Sequence, residues 1–552
     1  MREEIRKAVN ESKEKLKDKY NLPDLDADFE IEIPKNDKFG DFSTNIALIL
    51  SGKVGKNPRE IASDLVDLLK DSGNPIFGNI DVAGPGFINF YVKNQAVTSR
   101  LKDILVDPEA WGSSDVGKGH KVLVEFVSAN PTGFLHFGHA RNAVVGDTIC
   151  RILEYSGYDV TREFYVNDAG RQMQLLGESV YTRYSNIFGK GVIFPEDGYK
   201  GEYVFDLAEE LKTEYGDSLI HKEYSESTEF CREYAYRKLL EQFKTDLGDI
   251  GIKFDNWYSE REQIHHKNEL DNIIELLGEK NALVSKDGAI WFAATDFGDN
   301  QDWVLIKQDG TPTYFLADIA YHYDKFKRNY DKIINIWGAD HHSHFNRLRS
   351  SVKALGYDES LLEVVLIQFV RLVKEGVEVS MSKREGSFIT LREVMEEVGK
   401  DVTRFFLLMR SSDSHMDFDL DLAKSQSSEN PVFYIQYAHA RIMSVFRKAG
   451  AEDITLSEKH LHMLDLKEEI EISKKLLQFT EVVQSSAHTL SPHKITYYLQ
   501  DLASGFHIYY NKNKIVGDDR ELSSARLYLA ECIRHVLRNG LNLLGVNAPS
   551  RM

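Results

Sequence analysis

KVLVEFVSANPTGFLHFGHARN, residues Lys121 to Asn142, passes from an apolar run through a turn into a helical pattern. Val122 to Ser128 predicts a buried strand, and Ala140 to Ser156 a helix. Two histidines, His136 and His139, stand at the junction with Phe137 and Gly138 between them. The first turn of a helix exposes unpaired N–H groups and the positive end of its dipole, a ready seat for phosphate. Gly138 removes a side chain where a ligand must come close to the backbone, and both imidazoles can aim N–H donors at phosphate oxygens. Asn130-Pro131-Thr132-Gly133 gives the preceding loop an extended, rigid path. The competing reading is a pair of partly buried helix-end histidines satisfied by neighbours. Position after an apolar strand favours a ligand site, because open α/β sheets bind at the carboxyl ends of their strands.

The same rhythm continues outward. Asp159 to Val166 and Lys332 to Trp337 predict strands, the second followed by a helix, and Leu361 to Val373 contains another. Strands alternating with helices predict an α/β fold, a doubly wound parallel (Rossmann-like) catalytic sheet over 118–422. Charged helical patterns and the strand-like ALVSKDGAIWFAA break that rhythm, so an insertion is expected at about 189–302. Residues 1–110 predict an N-terminal α+β module. It has a charged first helix, a helix at Pro58 to Lys70 that opens on proline, and a glycine turn leading into a strand in VAGPGFINFYV, Val82 to Val92. A linker rich in Gly, Ser and Asp follows at Trp111 to Gly119. From 423 to 552 apolar residues recur at helical spacing with little proline, which predicts an all-α domain.

The 552 residues are 42% hydrophobic and 28% charged, ordinary for a soluble globular protein. A net charge of −19 opposes a nucleic-acid partner at long range. Residues 431–552, however, hold 15 Lys/Arg against 13 Asp/Glu, so the helical segment is the least repulsive to a polyanion. Cys150, Cys231 and Cys532 are too far apart for a disulfide framework or a Cys-x-x-Cys metal pair, and no disulfide partner is expected. MREEIRKAVNESKEKLKDKY lacks the apolar core of a signal peptide, and no run approaches the ~18 apolar residues of a membrane span. A cytoplasmic protein with no membrane partner is therefore expected.

A second polar segment, VSMSKREGSF (Val379 to Phe388), carries Lys383 and Arg384 about 240 residues after the histidines. Alone, it reads as a solvated loop. In this order and on a doubly wound sheet, the two segments resemble the paired signatures of the class I aminoacyl-tRNA synthetases. Ser380 stands where that family's first lysine usually is, and Arg384 where its last serine is. Lys383 matches the lysine assigned most of the transition-state work. The resemblance implies that an amino acid's carboxylate attacks the α-phosphate of ATP, which arrives with Mg2+, and that the acyl group then passes to the terminal ribose of a tRNA. Such a displacement needs positioning and dispersed positive donors rather than a covalent nucleophile. Catalytic roles for His136, His139 and Lys383, and ATP contacts for Gly138, Met381 and Ser382, are implied with it.

Longer stretches resemble the arginyl-tRNA synthetase family in particular: EFVSANPTGFLHFGHARNAVVGD, FYVNDAGRQM, WGADHHSH and ENPVFYIQYAHARI, with FGDFSTNIAL and NPREIASDL in the first module. L-Arginine and tRNA(Arg) are then the implied partners. A guanidinium is planar, permanently charged and donates in a fork, so a pocket for it needs carboxylates. Glu125 sits in an apolar strand, where an unpaired acid is costly, and Asp318 shares a helical face with Tyr314. On the residues alone these read equally well as a strand-edge acid and an exposed helix pair. Matched to the family's pattern, Glu125, Asn130, Tyr314 and Asp318 hold arginine.

GADHHSHF, Gly338 to Phe345, suggests a metal. Adjacent His341 and His342 on one helix diverge by about 100°, and catalytic zinc takes three well-spaced protein ligands. No metal site is expected there; adenosine contact by Gly338, Asp340 and His341 is. Basic and aromatic residues interleave in the helical segment, a pattern suited to unpaired RNA, although most such aromatics serve helix packing. The resemblance implies that this segment binds the anticodon, that the first module reaches the tRNA elbow, and that arginine activation requires bound tRNA. Two other readings stay open: another H-x-G-H nucleotidylyltransferase, and an RNA-binding relative with a decayed site.

Overall fold

The computed structural model describes every residue except 21–26, 35, 340–341 and 380–388, with backbone alone at 37, 342 and 343. The described residues fall into two units. One gathers Met1–Pro108, Ser444–Gln478 and Gly505–Arg534; the other gathers Glu109–Met443, Phe479–Ser504 and His535–Met552. Segment 423–552 thus contributes helices to both.

In the first unit, β1 (Ile31–Glu32), β2 (Phe42–Thr44), β3 (Phe77–Ala83) and β4 (Phe87–Val92) form an antiparallel sheet in the order β1-β2-β4-β3. The turn into β4 needs glycine: Gly86 has a φ of 142°, and a Cβ there would come within 2.8 Å of Pro58. The helix Pro58–Asp71 opens on proline, with the Asn57 side chain accepting from the Arg59 N–H at 2.9 Å. Its Ile61, Leu65 and Leu69, one per turn, are buried in a core shared with Ile80 and Phe90.

In the second unit, β5 (Lys121–Glu125), β6 (Asp159–Val166) and β7 (Asn256–Ser259) come first along the chain. β8 (Leu283–Lys286), β9 (Ala289–Phe292) and β10 (Trp303–Ile306) make a separate antiparallel sheet. β11 (Lys332–Gly338) and β12 (Leu362–Ile367) then return, completing a five-stranded parallel sheet in the order β12-β11-β5-β6-β7. Strands covered on both faces need apolar runs, and Val122, Leu123 and Val124 are fully buried. β13 (Val370–Lys374), β14 (Val377–Glu378) and β15 (Met416–Asp419) form a third sheet.

Two details differ from expectation. β7 lies inside the 189–302 stretch yet pairs with β6, so the interruption of the parallel sheet is not continuous. β5 ends at Glu125, not Ser128, because Val127 and Ser128 take left-handed backbone with φ of 69° and 45°.

Candidate active site

The chain leaves β5 toward β6 and β7 on one side and returns to β11 and β12 on the other. The gap between the carboxyl ends of β5 and β11 is therefore the switch point of the sheet, where open α/β folds collect ligands. β5 feeds the histidine turn there, and β11 ends at half-buried Gly338. Asp340 and His341 lie outside the described residues. Left-handed backbone costs a non-glycine residue about 1–3 kcal/mol, so the turn after β5 must be held in place. Val127 N–H donates to Asn142 Oδ1 at 2.7 Å, Asn142 Nδ2 donates to the Ile336 carbonyl at 2.8 Å, and Ser128 Oγ donates to Glu125 Oε1 at 2.7 Å.

His136 occupies the N-cap position of the helix Phe137–Tyr155 without a side-chain capping bond, and its ring stacks on that of His139 with centroids 3.7 Å apart. A Cβ on Gly138 would come within 2.8 Å of the His136 ring, so the clearance that glycine provides is taken up by that imidazole. Both rings line a cavity of about 600 Å³ together with Asn130, Gln172, Tyr199 and Lys200. Asn130 Nδ2 donates to Gln172 Oε1 at 2.6 Å, and Tyr203 hydroxyl donates to the Thr132 carbonyl at 2.6 Å. Segment 196–203, from the expected insertion, thus reaches the histidine turn, which its charged composition did not suggest.

Met381, Ser382 and Lys383, like Ser380, lie outside the described residues, but both flanks of that segment are described. Val379 N–H donates to the Leu372 carbonyl at 2.8 Å on one side. On the other, Phe137 N–H donates to the Ile389 carbonyl and Leu391 N–H to the Leu135 carbonyl, both at 2.9 Å. Thr390 then caps the helix Leu391–Val398 in a capping box with Glu393. Arg141, buried on the histidine helix, donates to the carbonyls of Gln368, Ser411 and Ser414 at 2.9, 2.8 and 2.7 Å. Burial pulls its guanidinium down to about 10, against the pull of Asp413. Those carbonyls precede β13 and β15, so Arg141 ties the histidine helix to the sheet that leads toward Val379. Nothing in the sequence separated it from a surface arginine.

The carboxylates expected to read arginine sit differently. Parallel register places Asn335, Glu125, Glu163 and Asn256 in one polar row across four strands. Glu125 is 5% exposed; Lys325 Nζ donates to its Oε2 at 2.7 Å while Ser128 holds Oε1. Glu163 accepts both prongs of Arg328, at 2.6 and 2.9 Å, as well as the Tyr321 hydroxyl at 2.7 Å. Burial works against its charge, but Arg328, Lys325 and Tyr321 outweigh it and hold the carboxyl below the ordinary range. Tyr321, Lys325 and Arg328 belong to the helix Tyr314–Lys327 and the residue just after it.

The first turns of that helix carry Tyr314, 69% exposed, and Asp318, whose side chain is 31% exposed. Asp318 pairs with His344 Nε2 at 2.8 Å, and Arg347 hydrogen-bonds His344. Arg347 lies 4.7 Å from the Trp303 ring and 4.8 Å from that of Phe315; burial lowers its pKa against the pull of Asp318 and Asp299. His322 Nδ1–H donates to the Asp318 carbonyl at 2.8 Å, and its Nε2 accepts from Asn335 at 2.7 Å. Burial, followed by the charge of Lys325, holds its ring neutral, well below the ordinary 6.5. Sequence reasoning missed Tyr321, His322 and Lys325. Their spacing from Tyr314 and Asp318 forms one polar stripe along a helix, a signal that was available.

Among the described residues no cluster of His, Cys, Asp and Glu could hold a metal, and no helix is long and apolar enough to cross a membrane. Cys150, Cys231 and Cys532 are buried free thiols.

Three family models match in succession: arginyl tRNA synthetase N terminal domain over residues 1–92, tRNA synthetases class I (R) catalytic domain over 100–417, and DALR anticodon binding domain over 435–552. An arginine–tRNA ligase of Geobacillus kaustophilus (strain HTA426) is 47% identical over 555 residues, covering 100% of this chain and 98% of that one. One from Bacillus subtilis (strain 168) is 45% identical over 554 residues with the same coverage. Thermus thermophilus arginyl-tRNA synthetase shares the fold, with a TM-score of 0.77 over 100% of both chains at 23% identity. With a catalytic model spanning more than half of the residues and relatives this similar from end to end, the chain belongs to the arginyl-tRNA synthetase family.

Proposed function

We propose that this chain is an arginine–tRNA ligase. It activates L-arginine with ATP to arginyl-adenylate, then transfers the arginyl group to the terminal ribose of tRNA(Arg), releasing pyrophosphate and AMP. The observation that carries this reading is the backbone pairing of Leu135–Phe137 with Ile389–Leu391, which joins the histidine turn to the end of the lysine segment at the sheet's switch point. Lys383 is six residues from Ile389, a tether of ~20 Å at most.

In activation, the arginine carboxylate attacks the α-phosphorus and the bond to the β-phosphate oxygen breaks. Mg2+ enters as the ATP complex. His136 and His139 donate to the phosphates from the helix N-terminus, and Lys383 meets the charge that gathers on the departing pyrophosphate. Gly138, Gly338, Asp340, His341, Met381 and Ser382 complete the ATP side. Asp318 and Tyr314 take the guanidinium, with Glu125 adding charge from the strand behind. Asn130 has committed its amide N–H to Gln172, so its Oδ1 is left as an acceptor for the α-ammonium. A hydroxyl of the terminal ribose then attacks the adenylate carbonyl, and AMP leaves.

Residues 118–422, interrupted within 189–302, are the catalytic part of this reading; 1–110 touches the tRNA elbow and 423–552 the anticodon, in the cytoplasm. Pyrophosphate exchange tests it. Exchange should appear with arginine among the amino acids and respond to tRNA, and Lys383→Ala should lower its turnover by about 10²–10³-fold with arginine affinity little changed. Exchange without any amino acid would indicate another nucleotidylyltransferase. tRNA binding with no exchange would indicate a decayed relative.

A further inference from the structure

Lys325 is fully buried, and no step above uses it. Its ammonium donates to Glu125 Oε2 at 2.7 Å and to Asn335 Oδ1 at 2.8 Å, and lies 4.2 Å from the Tyr321 ring centre. Asn335 is itself held by His322, whose other ring nitrogen donates to the Asp318 carbonyl. Seven residues before Lys325 on the same helix stands Asp318. A single rigid helix therefore carries one carboxylate of the pocket and the cation that grips the other.

A carboxylate has about four acceptor positions. Lys325 and Ser128 each take one, on different oxygens, and so fix the plane of Glu125 while leaving positions open. Arg328 repeats the fastening one strand over, gripping Glu163 in the same polar row. The helix is thus pinned at two points, and the separation of Glu125 from Asp318 is set by the sheet. Two carboxylates at fixed spacing suit the fork of a guanidinium better than the point charge of an ammonium.

We infer that Lys325 is a positioning residue for arginine, acting through Glu125 to hold the two carboxylates at the spacing a guanidinium requires. The inference rests on the reading of this site as an arginine pocket. The test measures dissociation constants of radiolabelled arginine and of ATP, at saturating tRNA, for the wild type, Lys325→Met, Glu125→Gln and the double variant. Lys325→Met should weaken arginine about tenfold while ATP stays within about twofold. In the Glu125→Gln parent the same change should add less than about twofold, because residues acting as a unit are not additive. The double variant carries no unpaired buried charge, so it remains folded and readable even if Lys325→Met does not. A full tenfold loss of arginine affinity on going from Glu125→Gln to the double variant, or arginine and ATP affinities falling together, overturns the inference. A wild type that binds ATP and tRNA but no arginine overturns the arginine-pocket reading itself, and the inference with it.

Discussion

Glu125 and Asp318 are two carboxylates assigned to one pocket, and the fold treats them in opposite ways. Glu125 is 5% exposed at the end of a central strand, with both oxygens engaged from within by Lys325 and Ser128. Asp318 lies on an early turn of a helix with 31% of its side chain exposed, and its partner is the His344 imidazole at 2.8 Å. A charge taken out of water must be matched by the protein or it is lost as a charge. Glu125 is therefore part of the core before it is part of any pocket, whereas Asp318 keeps access to an incoming cation. The difference predicts that loss of Glu125 is read in stability as well as in affinity, and loss of Asp318 in affinity alone.

The largest effect should come from Glu125→Ala. Removing it strands the Lys325 ammonium, whose pKa burial already lowers against the opposing pull of Glu125 and Glu163. Breaking a buried pair from one side costs about 3–5 kcal/mol, and denaturant unfolding should report a loss of that size. A variant as stable as the wild type would erase the contrast between the two acids. Asp318→Ala should leave the unfolding midpoint nearly unchanged but weaken arginine about 10²-fold, since truncating one partner of a hydrogen-bonded charge pair costs about 2–5 kcal/mol. Equal loss of arginine and ATP would show that Asp318 is misassigned.

The buried row sharpens the contrast through pH. His322 is held neutral by burial and by Lys325, so the fold disfavours its protonation while the unfolded chain does not. Above the ordinary imidazole value of 6.5 neither state holds the proton, and the ring contributes no pH dependence. Below it the unfolded chain takes up the proton first, and stability falls by at most about 1.4 kcal/mol per pH unit. Urea unfolding at pH 7 and pH 5.5 should therefore show the wild type losing more stability than His322→Asn over that interval. Parallel losses would mean that the ring titrates freely.

What the sequence disclosed follows the same line. The parallel sheet was legible because strands covered on both faces show as apolar runs, as in Val122–Val124 and Ile333–Ile334. β7 was not, because four residues are too few to reveal a period and charged patterns flank them. The histidine turn was legible from its place between strand and helix, whereas the packing of the His136 ring against Gly138 depends on a side-chain rotamer that spacing does not give. Glu163 was not legible, because a strand pattern says nothing of which residue lies opposite; only the alignment of Glu125 with Glu163 across β5 and β6 exposes the polar row. Helices in 423–552 were legible from spacing, whereas their division between two units depends on contacts far apart in sequence, which periodicity cannot supply.

Tyr314 sets the lower end of the scale. It begins the helix that carries Asp318, and at 69% exposure its side chain is available to a ligand in the free protein. The phenol offers a guanidinium one acceptor, or its ring face, and Tyr314→Phe separates the two. Loss of a hydrogen bond to a charged group costs about 1.5–3 kcal/mol, so arginine should weaken by about tenfold or more if the hydroxyl is used. If only the face is used, stacking survives in phenylalanine and affinity stays within about twofold. Stability should not move in either case, because so exposed a hydroxyl is satisfied by water. Calorimetric titration of arginine at saturating tRNA distinguishes the two, and Tyr314→Ala binding as tightly as the wild type would remove this residue from the pocket and leave Asp318 to read the guanidinium from the helix.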